Sequence, residues 1–191
     1  MIMNRRDYLR RSALLAIVAG MGVDVHSSMI KSKLKLRVSA CDWSIGKNSD
    51  PGAFEIAKQI GLQGVQVNLG SEKNNLHLRD TAMQQTYRVA SKKSKIKISS
   101  FAIGELNNVP YKSDPRTEAW VSDAIDVASA FDVDVILLAF FSKNDLRNDA
   151  PGKEEVIQRL KKVAPKAEKL GVTLGIESYL SAAEHQEIIQ R

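Results

Sequence analysis

Glu177 closes the apolar run Val172–Ile176 and is the side chain in this sequence best placed to do chemistry. A carboxylate at the end of a strand emerges at the rim of a sheet. Burial there is costly unless a cation or a hydrogen-bond donor meets it. A hard divalent ion prefers such oxygen ligands, and a salt-bridged rim glutamate satisfies the same position. Other polar side chains follow similar runs. Glu105, in Gly104-Glu105-Leu106-Asn107, either binds substrate hydroxyls and helps proton transfer or is a solvated loop residue. Trp43, next to Asp42, either forms an apolar wall for one face of a sugar or packs in the core. Gln66 and Asn68 alternate within an apolar strand, so they line the mouth of a site or hydrogen-bond one another. Lys143 and Asp145 form either a cationic contact for an anionic substrate or a solvated loop pair. His77 is a candidate outer ligand. Cys41 reads as a buried small hydrophobe, and Glu184 and His185 as capping and surface residues.

Several chemistries are excluded. No Gly-x-Gly-x-x-Gly or Walker loop follows an apolar run, which removes the usual nucleotide cradles. No Gly-x-Ser-x-Gly and no local Cys/His pair supports a nucleophilic hydrolase. A single cysteine rules out a disulfide framework within the chain and a cysteine-based zinc site. The net charge of +6 is also misleading. Eight of the 28 basic residues and two of the 22 acidic ones lie in residues 1–37, which leaves twenty of each in the remainder. A nucleic-acid protein concentrates its surplus on the binding domain, so nucleic acid is not expected as a partner.

The elements that must position these residues repeat one pattern: an apolar run, a turn, then a helical stretch. The expected strands are Leu36–Cys41, Gly64–Leu69, Ile96–Ile103, Asp134–Phe141 and Val172–Ser178. Their starts lie roughly 28 to 38 residues apart, the length of a βα unit. Runs such as Val135–Phe141 are apolar on both alternations, the mark of parallel strands covered by helices. Helices are expected over about 51–60, 79–93, 115–131 and 153–170. Asp50-Pro51 and Asp114-Pro115 supply starts, and Gly61 and Gly171 supply ends. Trp120 and Phe131 belong to an apolar stripe directed at the sheet, Pro165 should kink or break the last of these helices, and Ser181-Ala-Ala-Glu184 reads as a capping box. The pattern fits a doubly wound sheet or a barrel. A (β/α) barrel of eight units takes about 250 residues, so the roughly 155 residues here match five-eighths of one.

The segment Asn4–Arg10 is basic and precedes an uncharged run, Ser12–Val23. The run is about 12 residues, short of the roughly 20 needed to span a bilayer. Arg5-Arg6, then one residue, an aromatic, Leu and a basic residue, resembles a twin-arginine export signal. The resemblance implies export of folded cargo, with the protein periplasmic or membrane-anchored. Residues 1–33 are accordingly expected to be an export signal and 34–191 the folded domain. The competing reading is an amphipathic N-terminal helix that stays in place, and membrane contact is expected through this segment only.

Lys166–Ser178 (KAEKLGVTLGIES), with the repeats before it, resembles the sugar phosphate isomerase/epimerase family of xylose isomerase-like TIM barrels. The likeness covers about 35–191, the first five of eight βα units, so an α/β parallel TIM-barrel fold, truncated, is expected. The resemblance implies proton transfer alpha to a ketose carbonyl, a small-molecule sugar or sugar phosphate as partner, and a divalent metal (Mn, Mg, Co or Zn). In the family four ligands hold the ion. Only the first maps here, onto Glu177, which is both metal ligand and catalytic acid/base. Trp43, Gln66, Asn68, Glu105 and Lys143 are the expected substrate contacts. With one ligand present, this chain is expected to be an incomplete, inactive fragment that does not bind the metal stably. The alternatives are a non-catalytic exported carbohydrate-binding protein and an AP-endonuclease-like hydrolase.

Overall fold

Five parallel strands carry the site: β1 (Ser39–Cys41), β2 (Gly64–Asn68), β3 (Lys97–Ile103), β4 (Val135–Phe140) and β5 (Thr173–Ser178). They are seen in a computed structural model that describes residues 36–191. The expected export signal, residues 1–33, lies outside the described residues. Each strand leads into a helix: α1 (Ala53–Gln59), α2 (Thr81–Ser94), α3 (Arg116–Ala130), α4 (Ala150–Leu170) and α5 (Ala182–Gln190). No helix among the described residues is long and apolar enough to cross a membrane.

The strand order is β1-β2-β3-β4-β5, with every pairing parallel. This decides between the two architectures. A doubly wound sheet reverses its strand order at a switch point. Here every crossover runs the same way, and right-handed crossovers then place all the helices on one face. The sheet is the barrel type.

Alternation along the strands separates core from site. Val65 and Val67 of β2, Phe101 and Ile103 of β3, and Ile136, Leu138 and Phe140 of β4 are fully buried in the main core. Their helical partners there include Trp120, Val121, Ala124 and Ile125 of α3 and Val156, Ile157 and Val163 of α4. Trp120 is core, as its helical spacing suggested, and Phe131 packs against the core at its edge. The intervening strand residues face the opposite side.

Most helix signals work as expected. Asp50 Oδ1 accepts from the Gly52 N–H, and Asp114 Oδ1 from the Arg116 N–H, although both helices begin a residue or two late. Ser181 and Glu184 form the expected reciprocal cap of α5. Three expectations need correction. α4 starts at Ala150, because Asp149 caps it by accepting from the Gly152 N–H. Pro165 does not break α4, which runs on to Leu170. Pro165 and Lys161 lie on the exposed face, so water can meet the carbonyl that the missing N–H leaves unpaired. β1 is half its expected length. Upstream of Ser39, Leu36 and Val38 are exposed, and the Val38 N–H donates to the Gln63 side chain instead of extending the ladder.

Candidate functional site

The side of the sheet away from the helices holds a cavity of about 570 Å³ at the carboxyl ends of the strands. Its walls come from all five strands and the loops that follow the first four. Trp43, Gln66, Asn68, Glu105 and Glu177 all line it. The sequence placed each of these at a strand end or on the inward alternation of β2, and the fold brings them together.

Asn68 is the hinge of the arrangement. Its backbone N–H donates to Asp42 Oδ2 at 3.0 Å. Its side-chain oxygen accepts from the Gly104 N–H at 3.2 Å, and its side-chain nitrogen donates to Asn48 Oδ1 at 2.9 Å. One residue on β2 thus ties down the loop after β1 and the loop after β3. Gln66 Oε1 accepts from the Cys41 thiol at 3.0 Å. Gln66 and Asn68 therefore find separate partners, not each other. On the far side, Asn107 Oδ1 accepts from the Phe141 N–H at 2.9 Å, which joins the β3 loop to the end of β4.

Asp42 lies beneath this network, wholly buried. Oδ2 accepts from the Ser49 and Asn68 N–H groups. Oδ1 is a buried side-chain polar atom with no hydrogen-bond partner among the described residues. Burial pushes the carboxyl up to about 6, although the backbone donors from Asn68, Ser49 and Trp43 pull the other way. Cys41 corrects its expected role: it is half-buried and lines the cavity. Burial raises its thiol pKa, despite a hydrogen bond from Ser44, and the charges of Asp42 and Glu177 raise it further. It therefore stays protonated and acts as a donor.

The other candidates lie outside this network. Glu177 is exposed at the rim, because β5 is hydrogen-bonded only to β4 among the described strands. Lys143 does not line the cavity. It sits on a single 3-10 turn, Ser142–Asn144, in which Ser142 adopts φ +52°. Buried Asn144 anchors that turn by donating to the Ala139 carbonyl at 2.8 Å, and Lys143 is left exposed. Asp145 pairs with Arg147 at 2.6 Å. His77 is also outside the cavity, its ring nitrogens 3.3 Å from Asn74 Nδ2 and from the Tyr87 hydroxyl. Burial lowers its pKa.

Sequence reasoning missed Asn48, Asn107 and Asn108 as cavity residues, and Asp42 as the support of Asn68 and Ser49. The signal was faint: asparagines in turns are common for local reasons. Among the described residues no three His, Cys, Asp or Glu side chains come together to hold a metal ion. Glu177 is one oxygen donor of the right chemistry, and alone it does not make a site for a divalent ion.

Comparison with known proteins agrees with this geometry. A xylose isomerase-like TIM barrel protein from Mycobacterium smegmatis, solved in complex with magnesium, superposes with TM-score 0.64 at 14% identity, over 82% of this chain and 61% of its own. A xylose isomerase domain protein from Planctomyces limnophilus gives 0.62 at 17% identity, over 80% and 58%. D-psicose 3-epimerase from Clostridium cellulolyticum H10, solved with D-tagatose, gives 0.61 at 14% identity, over 81% and 59%. The chain thus spans 58–61% of the length of these structures. No curated protein sequence matches it significantly. Residues 54–191 match the family described as the xylose isomerase-like TIM barrel. Five parallel strands in sequential order, a cavity at their carboxyl ends and this match lead to one conclusion: the chain belongs to the xylose isomerase-like TIM barrel family.

Proposed function

We propose that this chain forms the substrate-holding part of a sugar isomerase or epimerase that moves a proton at the carbon next to a ketose carbonyl. The observation that carries this is the convergence of Glu177, Glu105 and a set of carboxamides on one cavity in this fold. Amide N–H groups can hold hydroxyl and carbonyl oxygens in a fixed orientation, which lowers the barrier by positioning. Glu177 stands at the rim, where a carboxylate can take the α-proton and a neutral Glu can return one. Trp43, 40% exposed at the mouth, supplies a flat apolar surface for the carbon face of a ring. A divalent ion in the complete family centre would polarise the carbonyl as a Lewis acid. Glu177 would be one of its ligands. We propose further that these residues bind the sugar without turning it over. A twin-arginine route to the periplasm remains part of the proposal and rests on residues 4–23.

A non-catalytic sugar-binding protein is the second reading, favoured by the predominance of amides over acid–base groups in the cavity. Competition between a ketohexose and a sugar hydroxamate that mimics the enediolate separates the two. An isomerase-type site binds the mimic more tightly, and Glu177→Gln narrows that preference. Equal binding of both compounds supports the second reading. Failure to bind either refutes both, and metal-dependent turnover of the ketose by this chain refutes the inactivity.

A further inference from the structure

The cavity has a definite polarity, set by the protein's own hydrogen bonds. The Gly104 N–H fixes the orientation of the Asn68 carboxamide, oxygen toward Gly104. Its nitrogen must then face Asn48 and fix the Asn48 oxygen in turn. The Phe141 N–H does the same for Asn107, and the Cys41 thiol donates to the Gln66 oxygen. In each of these three carboxamides the acceptor oxygen is already used, and the NH₂ group has no partner among the described residues. A carboxamide presents two N–H donors from that group. These three side chains therefore turn donors to the cavity, and its charged acceptors are the carboxylates of Glu105 and Glu177.

Donors alone suit any oxygen-rich ligand, and the charge pattern discriminates among them. Among the described residues, no Lys, Arg or His lines the cavity. Of the cations on flanking segments, Lys47 pairs with Asp50 at 3.2 Å, Lys112 with Asp149 at 2.8 Å and Arg147 with Asp145 at 2.6 Å, while exposed Lys143 lies outside the cavity. A phosphate dianion would enter beside two carboxylates with no cation on the wall to compensate, and like charges repel.

We infer that the cavity selects an uncharged polyol, a free sugar and not a sugar phosphate, and that Asn48 and Asn107 are the donors that read its oxygens. This rests on the sugar reading above. The test uses the 191-residue chain with two probes, D-fructose and D-fructose 6-phosphate, followed by ligand-observed NMR titration. Fructose is expected to bind saturably and the phosphate at least tenfold more weakly. Asn107→Asp and Asn48→Asp keep the oxygen that accepts from Phe141 and Asn68, so the loops stay anchored, while the donors disappear. Each is expected to weaken fructose binding about tenfold with an unchanged urea midpoint. Phosphate binding as tight as fructose binding, or Asp variants that bind fructose normally, overturns this inference and leaves the sugar reading standing. Absence of binding by either probe overturns both.

Discussion

Replacing Asp42 with Asn tests whether the buried carboxylate under the cavity is a source of pH dependence. Asp42 is wholly buried, and its carboxyl is pushed up to about 6. The folded state therefore holds this proton more tightly than the unfolded chain does. The resulting stabilisation is full below the ordinary aspartate value and is lost as pH rises through 6. A rise of that size is worth at most about 3 kcal/mol, of which about 2 kcal/mol falls between pH 4.5 and 8. Asp42→Asn keeps one oxygen for the Ser49 and Asn68 N–H groups. Its nitrogen takes the place of Oδ1, which has no partner among the described residues, at a cost of about 1–3 kcal/mol at every pH. The variant should thus be the less stable protein at pH 4.5 and should close the gap by pH 8. Urea unfolding of both proteins across this range measures it. Other groups titrate too, but they cancel in the difference between the two proteins. A difference that stays constant within about 0.5 kcal/mol refutes the claim that Asp42 ionises from a raised pKa in the fold.

Gly70 adopts φ +124°, and a Cβ there would come within 2.7 Å of both Asn74 Oδ1 and the His77 nitrogen. Gly70→Ala should cost about 2–4 kcal/mol in urea unfolding, and a loss below about 1 kcal/mol would show that the loop yields. Lys112 donates to Asp149 Oδ2 and to the Asp145 carbonyl, tying the segment after β3 to the cap of α4. Lys112→Met should lower stability by about 1–2 kcal/mol and let the Asp149 pKa, now held down chiefly by Lys112, rise toward its ordinary value, as read by carboxyl NMR titration. Ser181→Ala should cost about 1 kcal/mol by removing the α5 cap, visible as faster amide exchange in the first turn of that helix. The same cap holds the Glu184 pKa near 2, chiefly through the Ser181 N–H. Its contribution persists above the ordinary glutamate range and is lost as pH falls toward 2.

The fold was legible because its signals are local. Apolar runs, Asp caps and the glycines after α1 and α4 each act within a few residues, so the βα repeat could be read directly. Part of the site was legible for the same reason. The polar alternation of Gln66 and Asn68 on an apolar strand put them on the inward face, and Glu177 lies at the end of β5. Asn48 and Asn107 were not legible, because their roles depend on bonds to Asn68 and Phe141, 20 and 34 residues away. Lys143 misled because strand ends point to a site only when the following turn keeps its direction. Here Asn144 holds the turn from below and Lys143 is turned out. Glu177 was expected to emerge at the rim of the sheet, and its degree of exposure there follows from having one neighbouring strand, β4, among those described. Strand position reports the face a residue occupies, and burial depends on what stands beside it.

The sequential strand order has a kinetic consequence. Each strand pairs with the one synthesised just before it, and none waits for a distant segment. Loop closure entropy is then met in small, similar steps, and chains dominated by such separations fold faster than those built on remote pairings. Each βα unit can dock on its predecessor as it leaves the ribosome, so assembly can proceed in the direction of synthesis. The bonds of Asn68 to Asp42 and Asn48 can form once β2 has joined β1, and its bond to Gly104 only after β3 has been added, so the cavity takes shape behind the growing edge of the sheet.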